Sequence, residues 1–370
     1  MNTLLILKPG DFLAQLPGIL GYYPIESLVL VGLAKPLSNC SVMGPILRID
    51  IAQLAYPDIF RDCLTVVGND NYVYFGFFIS DDKDEIFIDQ YIRYLFQYAS
   101  ADAFPLAALW SVVGITEGSE YELRFLSEDA FGYFGQSTPQ NPWYSGLVGS
   151  IAHAQSTLEL TQRGYNIELS AEHVACFFAP DIDDPYSEKL RTIITEQAHR
   201  DAENILLRSQ KSALSDMKNL YQTIQDYLCT TEPNPPGMIH IQALATLLAQ
   251  TRLRDSIIDL LYAHPQTSRQ LLHATALKTR SIIRSNALAL YAAVAINEGV
   301  TARVHKALKA AHEETPQHAL TRLIGLAYAT ENGKEIIAQL IEVSRNEREN
   351  LLFELDSRST HKGGNPGHAA

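Results

Sequence analysis

The sequence predicts an α/β N-terminal domain, its sheet mainly parallel or mixed with flanking helices, followed by an all-α domain. Three observations carry that fold class. Residues 1–180 hold 27 of the chain's 34 aromatic side chains, which favour pleated, half-buried surfaces; the rest is rich in Ala and Leu, which favour helix. Charge divides at the same place, with 8 Lys and Arg against 20 Asp and Glu in residues 1–180, and 21 against 22 in 181–370. Periodicity changes too, from short apolar runs bounded by Pro and Gly to longer helical stretches. The expected division is therefore 1–180, 181–356 and a disordered tail over 357–370.

The elements follow in order. Pro9 and Gly10 precede a short helix over Asp11–Leu16. Gly21 and Pro24 turn the chain into a strand over Ser27–Leu33, and Pro45–Ile51 reads as the next strand. Pro57–Val67 has a helical pattern, and Tyr72–Ile79 (YVYFGFFI) is a buried strand in which Gly76 marks close packing. Ser80, Asp81 and Asp82 offer N-cap oxygens to a helix over Lys83–Tyr98. Leu106–Ile115 and Tyr121–Leu126 are strands about the turn Glu117-Gly118-Ser119; a Gly/Pro-rich loop over Phe131–Tyr144 and a helix over Gly149–Arg163 follow. Strand–helix alternation of this kind implies βαβ units.

In the second half, Asp184-Pro185 starts a long helix to about Lys211, and Ser215–Tyr227 is another. TTEPNPPG over Thr230–Gly237 breaks the pattern. Helices resume over Met238–Gln250, Arg254–Tyr262 and Ser268–Arg284. Residues 285–345 read as tetratricopeptide-like helical hairpins, with Leu288, Ala292, Ala295, Leu308 and Ala311 at packing positions, Gly299 and Gly333 as breaks, and Thr315-Pro316 opening the second hairpin.

Composition bounds the function. A net charge of −13 argues against a general coating of nucleic acid, and 46% hydrophobic residues provide a core. The N-terminal apolar run is cut by Lys8, Pro9 and Gly10, so neither a signal peptide nor a membrane span is expected, and the expected location is the cytoplasm. Cys40, Cys63, Cys176 and Cys229 are scattered without a CxxC pair and read as reduced, mostly buried thiols. GxxxxGK[ST] and a post-strand GxGxxG are missing, and no cofactor is expected. No metal site is expected either: His305 and His312 stand two turns apart, about 10 Å, and His199 with Glu203 lacks further ligands.

Two groups remain as candidate sites. Glu26, Ser27, Arg48 and Asp50 lie near strand ends, and Arg48 and Asp50, two apart, share a face. They could bind a small anion through Arg48, with Glu26 or Asp50 as acid/base groups, or simply pair with one another. Ser27 lacks a Gly-x-Ser-x-Gly elbow. The second group is a basic patch, Arg252, Arg254, Arg280 and Arg284, within residues 252–309, where nine basic residues meet three acidic ones. It could contact nucleic acid, dock against the acidic first domain, or form a solvated helix face.

Pro17, Leu20-Gly21, Pro24, Ser27-Leu28-Val29, Gly32-Leu33 and Leu47-Arg48-x-Asp50 resemble a bacterial family catalogued as domain of unknown function 4192. Leu253-Arg254-Asp255, Asn286–Gly299, Ala307-Leu308 to Pro316 and Leu320-x-x-Leu323 extend the resemblance into the helical half. The family pattern has a Trp-rich, Cys-containing segment after the central strands and a Ser-Arg pair near 170. Here Leu123-Arg124-Phe125-Leu126 and Ser170-Ala171 stand instead. The resemblance implies an architecture and no activity or catalytic residues. The leading expectation is a non-catalytic protein-interaction protein with a helical-hairpin groove; a small-anion-binding domain or enzyme is second, and nucleic-acid binding through 252–309 third.

Overall fold

The computed structural model describes residues 8–34, 43–54, 56, 58, 72–81, 89–93, 105–128, 130, 141–180, 185–207, 212–230, 234–329 and 333–360. The helix expected over 57–67, most of that over 83–98, the loop over 131–140, Cys40, Cys63 and the tail beyond 360 lie outside these residues. The chain divides into two compact units, Met1–Ala171 and Glu172–Ala370.

In the first unit, helix α1 (Pro9–Leu20) has Pro at its first turn and ends on Gly21, whose φ of 78° completes a left-handed cap. Six strands follow: β1 (Ser27–Ala34), β2 (Met43–Asp50), β3 (Tyr72–Ile79), β4 (Leu106–Val112), β5 (Glu120–Leu126) and β6 (Ser145–Leu147). Their order is β2-β1-β3-β4-β5-β6. The sheet is mixed, but only β3–β4 is a parallel pair; the other four pairings are antiparallel. The βαβ expectation thus holds at one pair. A four-residue helix α2 (Ile51–Leu54) follows β2, and α3 (Gln155–Gln162) follows β6.

Strand periodicity explains the layers. Val29, Val31, Phe75, Phe77 and Trp110 point to the face that α1 covers with Phe12, Leu13 and Leu16. Leu28, Leu30, Tyr74, Phe78 and Leu109 point to the other, where Ile49, Ile51, Leu54 and Ile92 pack. Burial on both faces is why β1 and β3 read as continuous apolar runs. A Cβ at Gly76 would collide with Leu109 Cδ1, so that glycine serves close packing.

The second unit is helical among the described residues: α4 (Ala171–Phe178), α5 (Pro185–Leu207), α6 (Ser212–Leu228), α7 (Met238–Leu248), α8 (Thr251–Asp255), α9 (Ile258–Ala263), α10 (Pro265–Lys278), α11 (Ser281–Glu298), α12 (Val304–Glu314), α13 (Ala319–Ala329) and α14 (Gly333–Thr360). The break near 171 precedes the expected one at 180 because Phe178 of α4 is buried in the helical core. The helix expected over Ser268–Arg284 is divided. Arg191 donates to Thr279 O (2.9 Å), Thr195 Oγ1 accepts from the Arg280 amide (3.1 Å), and Ser281 takes φ 53°. The Arg254–Tyr262 helix is also split, at buried Ser256, which accepts a 2.6 Å bond from Tyr221. Residues 357–360, expected to be disordered, continue α14. Helix α11 is buried on every side from Ile283 to Ala295 and forms the spine of this unit.

Candidate functional site

The sheet does bring Glu26, Ser27, Arg48 and Asp50 together. Register places Ser27 opposite both Asp50 on β2 and Ile79 on β3. Arg48 Nε donates to Ser27 Oγ (2.8 Å), its Nη2 pairs with Asp50 Oδ1 (2.5 Å), and its guanidinium lies 5.8 Å from the Tyr22 ring centroid. Ser27 Oγ, fully buried, donates to Ile25 O at 2.6 Å. Its hydroxyl is therefore engaged as donor and acceptor, and no base among its partners can take its proton. Glu26, at φ 43°, accepts from Ser80 Oγ (3.0 Å) and the Asp81 amide (2.9 Å). These bonds hold the carboxyl end of β3 to the start of β1.

The basic patch is likewise internally matched. Arg252 pairs with Glu347 (2.7 Å) and Glu354 (2.9 Å), and Arg254 with Asp255 (2.6 Å). Arg280 pairs with Glu188 (2.9 Å) and Arg284 with Glu314 (3.1 Å). Arg252 holds the Glu354 carboxyl below its ordinary range through their hydrogen bonds. Four of these five acids come from outside 252–309, so a local charge count overstated the free positive charge. They belong to the helical unit itself, whereas the sequence pointed to the first domain as the acidic counterpart.

Arg284 does more than neutralise Glu314. Buried at 4% exposure, it donates to Ala276 O (2.6 Å) and Phe178 O (2.7 Å). Beside it, His273 stacks on Phe177 at 3.8 Å, and its Nε2 hydrogen-bonds Phe177 O at 2.6 Å. Burial, with the nearby Arg303 and Arg284 charges, pushes the His273 pKa down. Two side chains thus satisfy the terminal carbonyls of α4.

A second network joins α8, α11 and α13. Asn286 Nδ2 donates to Leu248 O (2.8 Å), leaving Oδ1 to accept from Arg254 (3.1 Å) and from His318 Nε2 (2.9 Å). His318 is therefore the Nε2–H tautomer, and its Nδ1 accepts from Thr321 Oγ1 at 2.7 Å. Burial, helped by the Arg254 charge, lowers its pKa to about 4.

Residue capacity is left elsewhere, in a cleft of about 530 Å³ between α5, α6 and α7. Ile205, Leu220 and Ala243 give it apolar surface, and Asp201 and Asp216 carry its charge; no Lys, Arg or His is among its described lining residues. Gln242 lines the cleft as well, while its Nε2 atom is closed to solvent and has no hydrogen-bond partner among the described residues; Asp201 accepts from Gln197 Nε2 at 2.7 Å. Sequence reading missed these residues because acids on helices look like solvated faces. The available signal was Gln242, a lone amide in the apolar run MIHIQALATLL.

Among the described residues, no group of three or more His, Cys, Asp or Glu could share a metal ion, and no helix is long and apolar enough to cross a membrane. Cys176 and Cys229 are free and exposed, which corrects the expectation of mostly buried thiols at both described positions.

A family model described as domain of unknown function (DUF4192) matches residues 9–332. The chain belongs to this family. The DUF4192 match spans both units and includes residues 120–180, where the sequence pattern departs from the motif blocks. No curated protein and no solved structure matches the chain.

Proposed function

We propose that this DUF4192 chain is a cytoplasmic, non-catalytic interaction protein whose tetratricopeptide-like helical unit binds a segment of a protein partner. The observation that carries the reading is the open cleft of about 530 Å³ between α5, α6 and α7, whereas the strand-end residues are bonded to one another. Helix α11 is enclosed, and none of the cleft's described lining residues falls within 285–345. Helical arrays of this kind use their surfaces to bind extended segments.

The second reading, small-anion binding, is favoured by the convergence of Glu26, Ser27, Arg48 and Asp50 at the carboxyl end of β3. It requires an anion to displace Asp50 from Arg48. Nucleic-acid binding through 252–309 ranks third, because Arg252, Arg254, Arg280 and Arg284 all have carboxylate partners. The test is a binary complex rebuilt from the purified full chain and a purified co-isolated partner, alongside a thermal-shift screen of nucleotides, phosphorylated metabolites, amino acids and divalent metals. A rebuilt complex that tolerates Arg48→Ala supports the interaction reading. A metabolite-induced shift lost in Arg48→Ala overturns it in favour of the anion site.

A further inference from the structure

We infer that α4, the helix with which the second unit begins, is an acid-released strap: lower pH frees it from its seat ahead of the rest of the helical unit. The seat is built around Phe177 and Phe178. The Arg303 guanidinium lies 3.9 Å from the Phe177 ring centroid, and the His273 imidazole stacks on the same ring at 3.8 Å and 9°. Two groups that close cannot share one face, so Phe177 is sandwiched between them. Phe178 is 1% exposed and meets the Tyr291 ring edge-on at 5.1 Å. The main chain is held as well, His273 Nε2 donating to Phe177 O at 2.6 Å and Arg284 to Phe178 O at 2.7 Å. The imidazole thus serves α4 twice, through its face and through its N–H.

A carbonyl oxygen only accepts, so His273 already carries a proton on Nε2 and takes a second on Nδ1. That proton makes an imidazolium facing Arg303 across the Phe177 ring, beside Arg284 at the end of α4. The carboxylates of this region are engaged, Glu314 by Arg284 (3.1 Å) and Glu298 by Arg269 (2.7 Å), and burial keeps Tyr291 neutral, its pKa raised to about 12. Glu172 and His173 on α4 itself are exposed, and Lys306, Lys309 and Glu313 of α12 border it in a cavity at Cys176. Burial is the largest influence on His273; with the Arg303 and Arg284 charges it outweighs the Phe177 carbonyl bond and lowers the docked pKa. Once α4 leaves, the imidazole meets water and returns towards its ordinary value of about 6.5. The released state therefore binds the proton more readily. Docking is complete above about pH 6.5 and weakens as pH falls through the docked value.

The experiment is hydrogen exchange read by mass spectrometry on the full chain between about pH 7 and 5, each rate being divided by the intrinsic exchange rate at that pH. Protection of the α4 amides is expected to fall several-fold relative to that of the α11 amides, which report the core of the same unit. His273→Gln keeps an amide donor for Phe177 O and does not titrate, so the relative fall should vanish in that variant. Should His273→Gln free α4 at neutral pH already, the wild-type chain decides: the midpoint of the His273 ring titration, followed by NMR, must coincide with the loss of α4 protection. Protection of α4 that tracks α11 at every pH, a relative fall that persists in His273→Gln, or separate midpoints overturns the strap.

Discussion

The strand-end cluster of the first unit and the α5–α6–α7 cleft of the second contain similar residue types, carboxylates with amide or hydroxyl groups, yet differ in what those groups have left to offer. Around Ser27 the donors and acceptors answer one another: Arg48 serves Ser27 and Asp50, and Glu26 serves Ser80 and Asp81. In the cleft, Asp201 accepts from Gln197 Nε2 on its own helix and Asp216 is exposed to solvent. Convergence of polar residues identifies a site only when capacity remains after their mutual bonds are counted. The first cluster positions strands; the second leaves carboxylates on an open surface.

That comparison can be broken by substitution. The largest effect belongs to Arg284. Arg284→Ala takes the ion-pair partner from Glu314 and a donor from the carbonyls of Ala276 and Phe178, and is expected to cost about 3–5 kcal/mol in denaturant unfolding. A loss under about 1 kcal/mol would mean that its bonds do not hold α4.

The His318 network comes next and is read through pH. Its folded pKa near 4 lies below the ordinary 6.5, so the unfolded chain binds the proton more readily. The contribution is complete above pH 6.5 and is lost as pH falls towards 4. His273 and His305, both lowered mainly by burial, act in the same direction. Melting curves across this window should therefore fall with acid, and His318→Gln should flatten part of the slope. An unchanged slope would remove His318 from the account.

Arg48→Ala should cost less, about 1–3 kcal/mol, because Asp50 is half exposed and can be hydrated while Ser27 remains buried. The smallest effect on stability belongs to the cleft. Asp201→Asn and Asp216→Asn should change unfolding by no more than about 0.5 kcal/mol, since exposed or half-buried helix positions tolerate such exchange. A large destabilisation there would place these acids among the satisfied groups and erase the contrast.

Much of the fold was legible for a local reason. The runs SLVLVGL and YVYFGFFI are continuous because β1 and β3 are covered on both faces, and Pro9, Gly21 and Pro185 mark element ends through backbone chemistry they impose themselves. Sheet order was not legible, because the antiparallel β1–β2 and β1–β3 pairings are set by long-range contacts. The break at Thr279-Arg280 was hidden for the same reason: TRSIIR contains no breaker, and Arg191 and Thr195 end the helix from α5. At the candidate site, the two-residue spacing of Arg48 and Asp50 correctly put them on one face. Their saturation was invisible, since Ser27 is 21 residues from Arg48 and Ser80 is 54 from Glu26. The basic run misled because Glu188, Glu314, Glu347 and Glu354 reach it from elsewhere in the chain.

The most direct measurement sets Arg48→Ala beside Asp201→Asn/Asp216→Asn in the full chain, recording the thermal midpoint and the affinity for the purified co-isolated partner for each. A midpoint lowered by a few degrees with unchanged partner affinity is predicted for the first, and an unchanged midpoint with weakened partner binding for the second. The reverse pattern, partner binding lost with Arg48 and stability lost with the aspartates, would contradict the interaction reading.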